Sequence, residues 1–226
     1  MLDLCYTASF ELDILFNAKK SSLFTVGKNC SMLVDRLKLG NDNVTWSDHL
    51  KYLGIMFKSG KRLQSDLDLC VRRFYTVVNS VYCNTRFASE VSQLHLIESF
   101  CLPLLTYGCE VLHLNNQQLF KLNTSWNNAF RKIFKMNQWE SVKQIQWFCE
   151  RLDVKHIIDQ RKLLFLRRLV HTKNDVVQTC LASYVHSAEF YGLCCKYNVD
   201  INMCSIHFIR YAVADHFYNI VLNADT

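Results

Sequence analysis

Leu67-Asp68-Leu69-Cys70-Val71-Arg72-Arg73-Phe74-Tyr75-Thr76-Val77-Val78-Asn79-Ser80-Val81 is the stretch from which the architecture can be read. Leu67, Cys70, Val71, Phe74, Val77, Val78 and Val81 recur at three- and four-residue spacings, so they share one face of an α-helix. An apolar face that continuous has to be buried against neighbours of the same kind. The downstream sequence supplies them, and from about Gln64 onward the chain reads as helix almost throughout. Ser89 stands where an N-cap belongs, with Leu94, Ile97, Phe100 and Cys101 on the buried side of the helix it starts. Pro103 kinks or restarts that helix, and further helices are expected near 116–136, 140–150 and 154–173. Six glycines and one proline in 226 residues point the same way, away from a turn-rich β-sandwich or barrel.

Upstream of this stretch the pattern changes. Cys5, Ala8, Leu12 and Leu15 form one helical stripe over residues 2–16. Ser22-Leu23-Phe24-Thr25-Val26-Gly27 is a short β-rich run. Leu37-Lys38-Leu39 and Val44-Thr45-Trp46 flank the turn-forming Gly40-Asn41-Asp42, which predicts a hairpin. Tyr52-Leu53-Gly54-Ile55-Met56-Phe57 reads as a strand with an internal glycine, where a backbone or ligand can come close. The expected fold is therefore α+β and mostly α: a helix with short antiparallel strands over 1–60, a helical domain over 61–173, and a small helical extension over 174–226.

Half of the residues are apolar and 20% are charged, enough buried surface to offset the ordering entropy of a globular chain. No apolar run reaches the roughly 18 to 20 residues that cross a bilayer, and Met1 is followed by Asp3 rather than a basic leader, so neither a membrane span nor a secretory signal is expected. An odd count of eleven cysteines in such a chain reads as reduced thiols, with Cys70, Cys83, Cys101 and Cys180 acting as small hydrophobes. The net charge of +6 is unevenly placed. Residues 131–173 hold 11 basic and 4 acidic side chains, whereas residues 174–226 hold 2 and 5. A segment carrying +7 is the footprint of a polyanion partner or, equally, of a solvated basic helix face.

Catalytic constellations are sparse. Cys204-Ser205-Ile206-His207 has metal-ligand spacing with Cys194 and Cys195 upstream, but the chain has no Cys-x-x-Cys pair, and no metal site is assigned. Asp66 and Asp68 form an Asp-x-Asp whose members, two apart on a helix, do not face each other. An acidic first turn is the simpler reading. The sequence has no Gly-x-Ser-x-Gly elbow, no Walker loop and no Gly-x-Gly-x-x-Gly.

The order of several short motifs carries more information than any of them alone. Phe16-Asn17-Ala18-Lys19-Lys20-Ser21, a strand, and then Leu50-Lys51-Tyr52-Leu53-Gly54-Ile55 resemble the region downstream of the catalytic carboxylates in reverse transcriptases of non-LTR, LINE-type retrotransposons. The first resembles palm motif D, and the second resembles motif E, the primer grip. Asp68-Leu69-Cys70-Val71-Arg72-Arg73-Phe74-Tyr75, followed by Ile97-Glu98-Ser99-Phe100-Cys101-Leu102-Pro103-Leu104-Leu105-Thr106-Tyr107-Gly108, resembles the connection and thumb. The resemblance covers about residues 1–170 and implies a palm remnant over 1–60 and a thumb-like bundle after it.

What the resemblance implies is RNA-directed DNA polymerisation, with an RNA/DNA primer-template duplex as partner and Mg²⁺ as the cofactor of the full-length enzyme. The Ala-Asp-Asp hairpin that holds the metal is absent here, and in the family it directly precedes the segment matching 2–16. This chain is therefore expected to be a fragment without a cofactor of its own and inactive alone, with the N-terminal part of such a polymerase as a further partner. By resemblance, Lys20 is the motif D residue that would lie near the incoming nucleotide's phosphates, Asn17 would be a further nucleic-acid contact, and Tyr52, Leu53 and Gly54 would lie near the primer end. Arg72, Arg73, Arg161, Lys162, Arg167 and Arg168 would track the duplex backbone. Trp126, Trp139 and Trp147 are candidates for base stacking or for the core. The sequence leaves the setting open between nucleus and cytoplasm, although a reverse transcriptase primed on chromosomal DNA would work in the nucleus. Two rival readings stand beside the resemblance: a non-catalytic helical interaction module, and an inert retroelement relic.

Overall fold

The computed structural model describes residues 2–14, 16–28, 37–184 and 188–223, so the expected apolar position at Leu15 lies outside the described residues. The fold is α+β and predominantly helical, in two compact units, Met1–Leu67 and Asp68–Thr226. The segment after 174, read from sequence as a separate extension, lies within the second unit.

The first unit begins with α1 (Leu2–Glu11) and a 3-10 turn at Ala18–Lys20. The stripe Cys5, Ala8 and Leu12 expected to be buried is exposed. Leu2 and Tyr6 turn inward instead and pack on Ala18, Leu39 and Val44. Gly40 explains the choice: its φ is +63°, and a Cβ there would fall 2.4 Å from the Tyr6 ring. Only a residue without a side chain admits the tyrosine, whose large ring outweighs a cysteine and an alanine in area buried.

Seven short strands follow among the described residues. β1 (Ser22–Leu23) and β4 (Thr45–Trp46) pair in parallel, whereas β2 (Lys38–Leu39) and β3 (Asp42–Asn43) form the expected hairpin with its second strand earlier than read. β5 (His49–Tyr52), β6 (Ile55–Lys58) and β7 (Gln64–Asp66) make a three-stranded antiparallel meander. Two expectations change here. Leu53-Gly54 is a two-residue hairpin turn rather than strand interior, with φ of +46° and +84°, the left-handed pair that a type I′ turn requires. Gln64–Asp66, read as the start of the helical region, is a strand anchored by Lys58 to Asp66 across the ladder at 3.0 Å.

The second unit holds α2 (Asp68–Asn84), α3 (Glu90–Phe100), α4 (Leu102–Leu105), α5 (Asn116–Ile133), α6 (Lys143–Phe148), α7 (Val154–Val170), α8 (Asp175–Tyr184), α9 (Ala188–Tyr197) and α10 (Ile206–Asn223). Ser89 caps α3 as expected, accepting from the Ser92 amide at 3.2 Å, and Pro103 sits in the first turn of the restarted α4. Asn115 and Gln118 close a capping box on α5. Val71, Phe74 and Val78 bring the apolar face of α2 into a core with Leu94, Ile97, Leu122, Trp126, Phe130 and Ile133. Phe100 departs from its expected burial and is 62% exposed. A second cluster joins Leu163 and Leu166 of α7 to Leu181, Leu193, Tyr197, Ile209 and Val213. α7 is thus central, with α5, α8, α9 and α10 all packed against it.

Candidate nucleic-acid interface

The centrality of α7 decides the fate of its basic residues. A helix covered on several sides has little solvated face, so its cations are drawn into the packing. Lys162 is 8% exposed and its ammonium is paired with Glu189 of α9. Burial alone would raise the Glu189 carboxyl, but Lys162, with His113 behind it, holds it below the usual range. Arg161 meets Glu110 at 3.3 Å and donates to the Thr106 hydroxyl. Arg167 donates through Nε to the Cys204 carbonyl at 2.8 Å. Arg168 is exposed, with its guanidinium 6.0 Å from the Phe165 ring. Of the four residues expected to track a duplex along this helix, Arg168 alone stands open to solvent.

A different surface gathers cations. α2 and α5 run side by side in parallel: Asp68 faces Lys121, Tyr75 faces Asn128, and Asn79 faces Lys132. On α2, Asp68, Arg72, Tyr75, Asn79 and Tyr82 follow one another at spacings of four and three, a single stripe flanking the core face. Arg72 lies on this stripe. Arg73, one residue on, is rotated about 100° round the helix and is exposed elsewhere.

Across from the stripe, α5 carries Arg131 and Lys132, and Lys135 follows its end. Arg131 donates to Asn128 Oδ1 at 3.0 Å and, through Nε and Nη2, to the Glu140 carbonyl at 3.2 and 3.0 Å. Lys132 donates to Asn79 and lies 4.9 Å above the Tyr82 ring. These partners are amides, carbonyls and a ring, so they orient the cations without cancelling their charge. Sequence reading named Arg72 on this ridge and counted Arg131, Lys132 and Lys135 within the basic segment 131–173, but gave these three, Tyr75 and Tyr82 no role of their own. The polar periodicity of each helix was visible, but the pairing of two helices 53 residues apart was not.

The three tryptophans part company. Trp126 is fully buried, its indole N–H donating to the Leu152 carbonyl at 3.1 Å and its ring 5.1 Å from Phe130. Trp147 is half-buried against Phe148, and Trp139 is 86% exposed.

In the first unit, the Asn17 side chain accepts from the Lys20 amide at 3.2 Å and so caps the 3-10 turn, leaving the Lys20 side chain exposed. Tyr52 and Leu53 are exposed at the tip of the β5–β6 hairpin, with Gly54 completing the turn. The members of the Asp-x-Asp are each paired with a lysine, Asp66 with Lys58 and Asp68 with Lys121. Among the described residues, no group of three or more His, Cys, Asp or Glu is placed to hold a metal ion, and His207 of the Cys204-x-x-His207 spacing is exposed. Two of the thiols read as small hydrophobes are not buried, Cys83 and Cys180 being exposed. Burial pushes the Cys101 thiol up to about 11 and Cys109 to about 12, which keeps both protonated and inert. Among the described residues no helix is long and apolar enough to cross a membrane. No family model, curated protein or solved structure matches the chain.

Proposed function

We propose that the chain binds the sugar-phosphate backbone of a nucleic-acid duplex, as a non-catalytic fragment of an RNA-directed DNA polymerase of the non-LTR retrotransposon type. The observation that carries the binding is the α2–α5 ridge. Arg72, Arg131, Lys132 and Lys135 present positive charge that no carboxylate neutralises among the described residues, interleaved with Tyr75 and Tyr82. Phosphate binding releases condensed counterions, so such a ridge holds a duplex strongly at low salt and weakly at high salt. The motif order, from Asn17 through Tyr52-Leu53-Gly54 to Pro103, is what suggests a primer-template rather than another duplex.

The test is fluorescence anisotropy with a labelled RNA/DNA hybrid across a salt series, and primer extension with dNTPs and Mg²⁺. Binding with a steeply negative salt slope and no extension is the expected pair of results. Absence of binding at about 50 mM salt overturns the binding reading, and extension overturns the non-catalytic one. A protein-interaction module remains the second reading, favoured by an apolar cleft of about 400 Å³ between Phe165 and Leu169 of α7 and Val176 and Val177 of α8. Salt-insensitive capture of a protein partner would support it.

A further inference from the structure

We propose that Trp139 stacks on the first unpaired base beside the duplex that the ridge holds. This rests on the nucleic-acid reading above and adds the residue that meets the unpaired strand. Of the four tryptophans, Trp139 is the most exposed, at 86%, against 40% for Trp46, a half-buried Trp147 and a fully buried Trp126. An exposed indole on a loose loop would mean little. This one is on a turn pinned from both sides.

α5 ends in a Schellman motif, the Met136 amide donating to the Arg131 carbonyl at 2.9 Å with Lys135 in the left-handed region at φ +53°. A non-glycine residue at that φ is held there by its surroundings. The Asn137 amide and its Nδ2 both donate to the Glu140 carboxylate, at 3.1 and 2.8 Å, which closes the turn around Trp139. The guanidinium of Arg131 then grips the Glu140 carbonyl with two hydrogen bonds. From Tyr75 of α2 through Asn128 and Arg131 of α5 to the backbone beside Trp139, one hydrogen-bonded chain joins the ridge to the turn.

The chemistry of the occupant follows. The ridge offers cations spaced along a helix pair, which suit phosphates. Its end offers one rigid aromatic face, which suits a flat ring that duplex stacking does not already occupy. A paired base has no free face to give except at a blunt end, whereas the first base of a single-stranded extension does. Lys135 beside the turn adds charge for the phosphate attached to that base.

The experiment compares a blunt RNA/DNA hybrid with the same hybrid carrying a short single-stranded extension whose first base is 2-aminopurine. The extended hybrid is expected to bind about tenfold more tightly, with quenching of the 2-aminopurine emission. Trp139→Ala removes that preference and leaves the salt slope for both hybrids unchanged, and Trp139→Phe retains most of it. Arg131→Lys keeps the charge but loses the fork on the Glu140 carbonyl, so it reduces the preference without changing the slope. Equal affinity for the two hybrids overturns the proposal while the ridge reading stands, and so does a preference that survives Trp139→Ala. If neither hybrid binds, the nucleic-acid reading falls and the stacking role falls with it.

Discussion

Two stretches of this chain look alike on paper: Arg161–Arg168 on α7, and Arg72 with Arg131, Lys132 and Lys135 along α2 and α5. Both combine basic residues with apolar ones at helical spacing. In the fold they part. α7 is covered by four other helices, and three of the four cations in its stretch, Arg168 excepted, pass into pairs with Glu110 and Glu189 or onto a backbone carbonyl. Along the α2–α5 flank Lys121 is paired with Asp68, but Arg131 and Lys132 rest on amides, a carbonyl and a tyrosine ring. A count of basic residues therefore says little about a polyanion site until the counter-charge of each cation is known.

The sharpest way to break this contrast is charge reversal on the ridge. Arg72→Glu with Lys132→Glu and Lys135→Glu should weaken RNA/DNA hybrid binding on the order of a thousandfold, or about 4 kcal/mol. All three side chains are outside the core, so the far-UV circular dichroism and urea midpoint should barely move. On α7 the effects exchange places. Lys162→Met strips a partly buried carboxylate of its main partner and is expected to destabilise the unit by about 2 to 3 kcal/mol in a urea melt, with hybrid affinity unchanged. The figure sits below that for a fully buried pair because Glu189 is 29% exposed and keeps His113.

A smaller difference should appear with pH. His216 of α10 faces His156 of α7 at 3.1 Å, and His156 in turn bonds Asp153 at 2.7 Å. Lys155 and Asp159 of α7 and Lys196 and Tyr197 of α9 surround the pair, with Asp215 beside it on α10. Burial, then Lys196 and His156, hold His216 below the usual histidine value. A depressed pKa means that the unfolded chain takes up the proton first. The stability tied to this contact is thus fully present above about pH 6.5 and declines as the pH falls below it toward the folded value. Urea midpoints should drop over that window in the native chain and stay flatter in His216→Gln. The ridge residues include no histidine, so hybrid affinity at fixed ionic strength should hold level over the same range. The smallest contrast lies within α2. Arg72→Ala should lower affinity several-fold, and Arg73→Ala by about twofold or less, because Arg73 points away from the stripe.

How much of this was legible in the sequence follows from what each element depends on. α2, the Ser89 cap and the Pro103 restart rest on local periodicity and capping, and these were readable before any coordinates. The inward face of α1 was not, because Tyr6 gains its place from Gly40, thirty-four residues away. Leu53-Gly54 was misread as strand interior because a leucine at positive φ is rare, although a glycine in second position was a hint of the turn. On the surface, Arg72 and Trp139 could be named in advance, but the inward turn of Lys162 depends on Glu189 of α9, and the parallel docking of α5 on α2 is a tertiary fact. Resemblance reached the motif positions Lys20 and Tyr52, which the fold places at an exposed turn and a hairpin tip.

The most direct measurement is the slope of log affinity against log salt for an RNA/DNA hybrid, taken on three proteins. These are the native chain, the ridge variant Arg72→Gln/Lys132→Gln/Lys135→Gln, and the α7 variant Arg161→Gln/Arg167→Gln/Arg168→Gln, each checked for a native circular dichroism spectrum. If the ridge holds the phosphates, its variant loses slope by about two to three and the α7 variant keeps nearly all of it. The reverse pattern, an unchanged slope in the ridge variant and a loss in the α7 variant, would contradict the assignment.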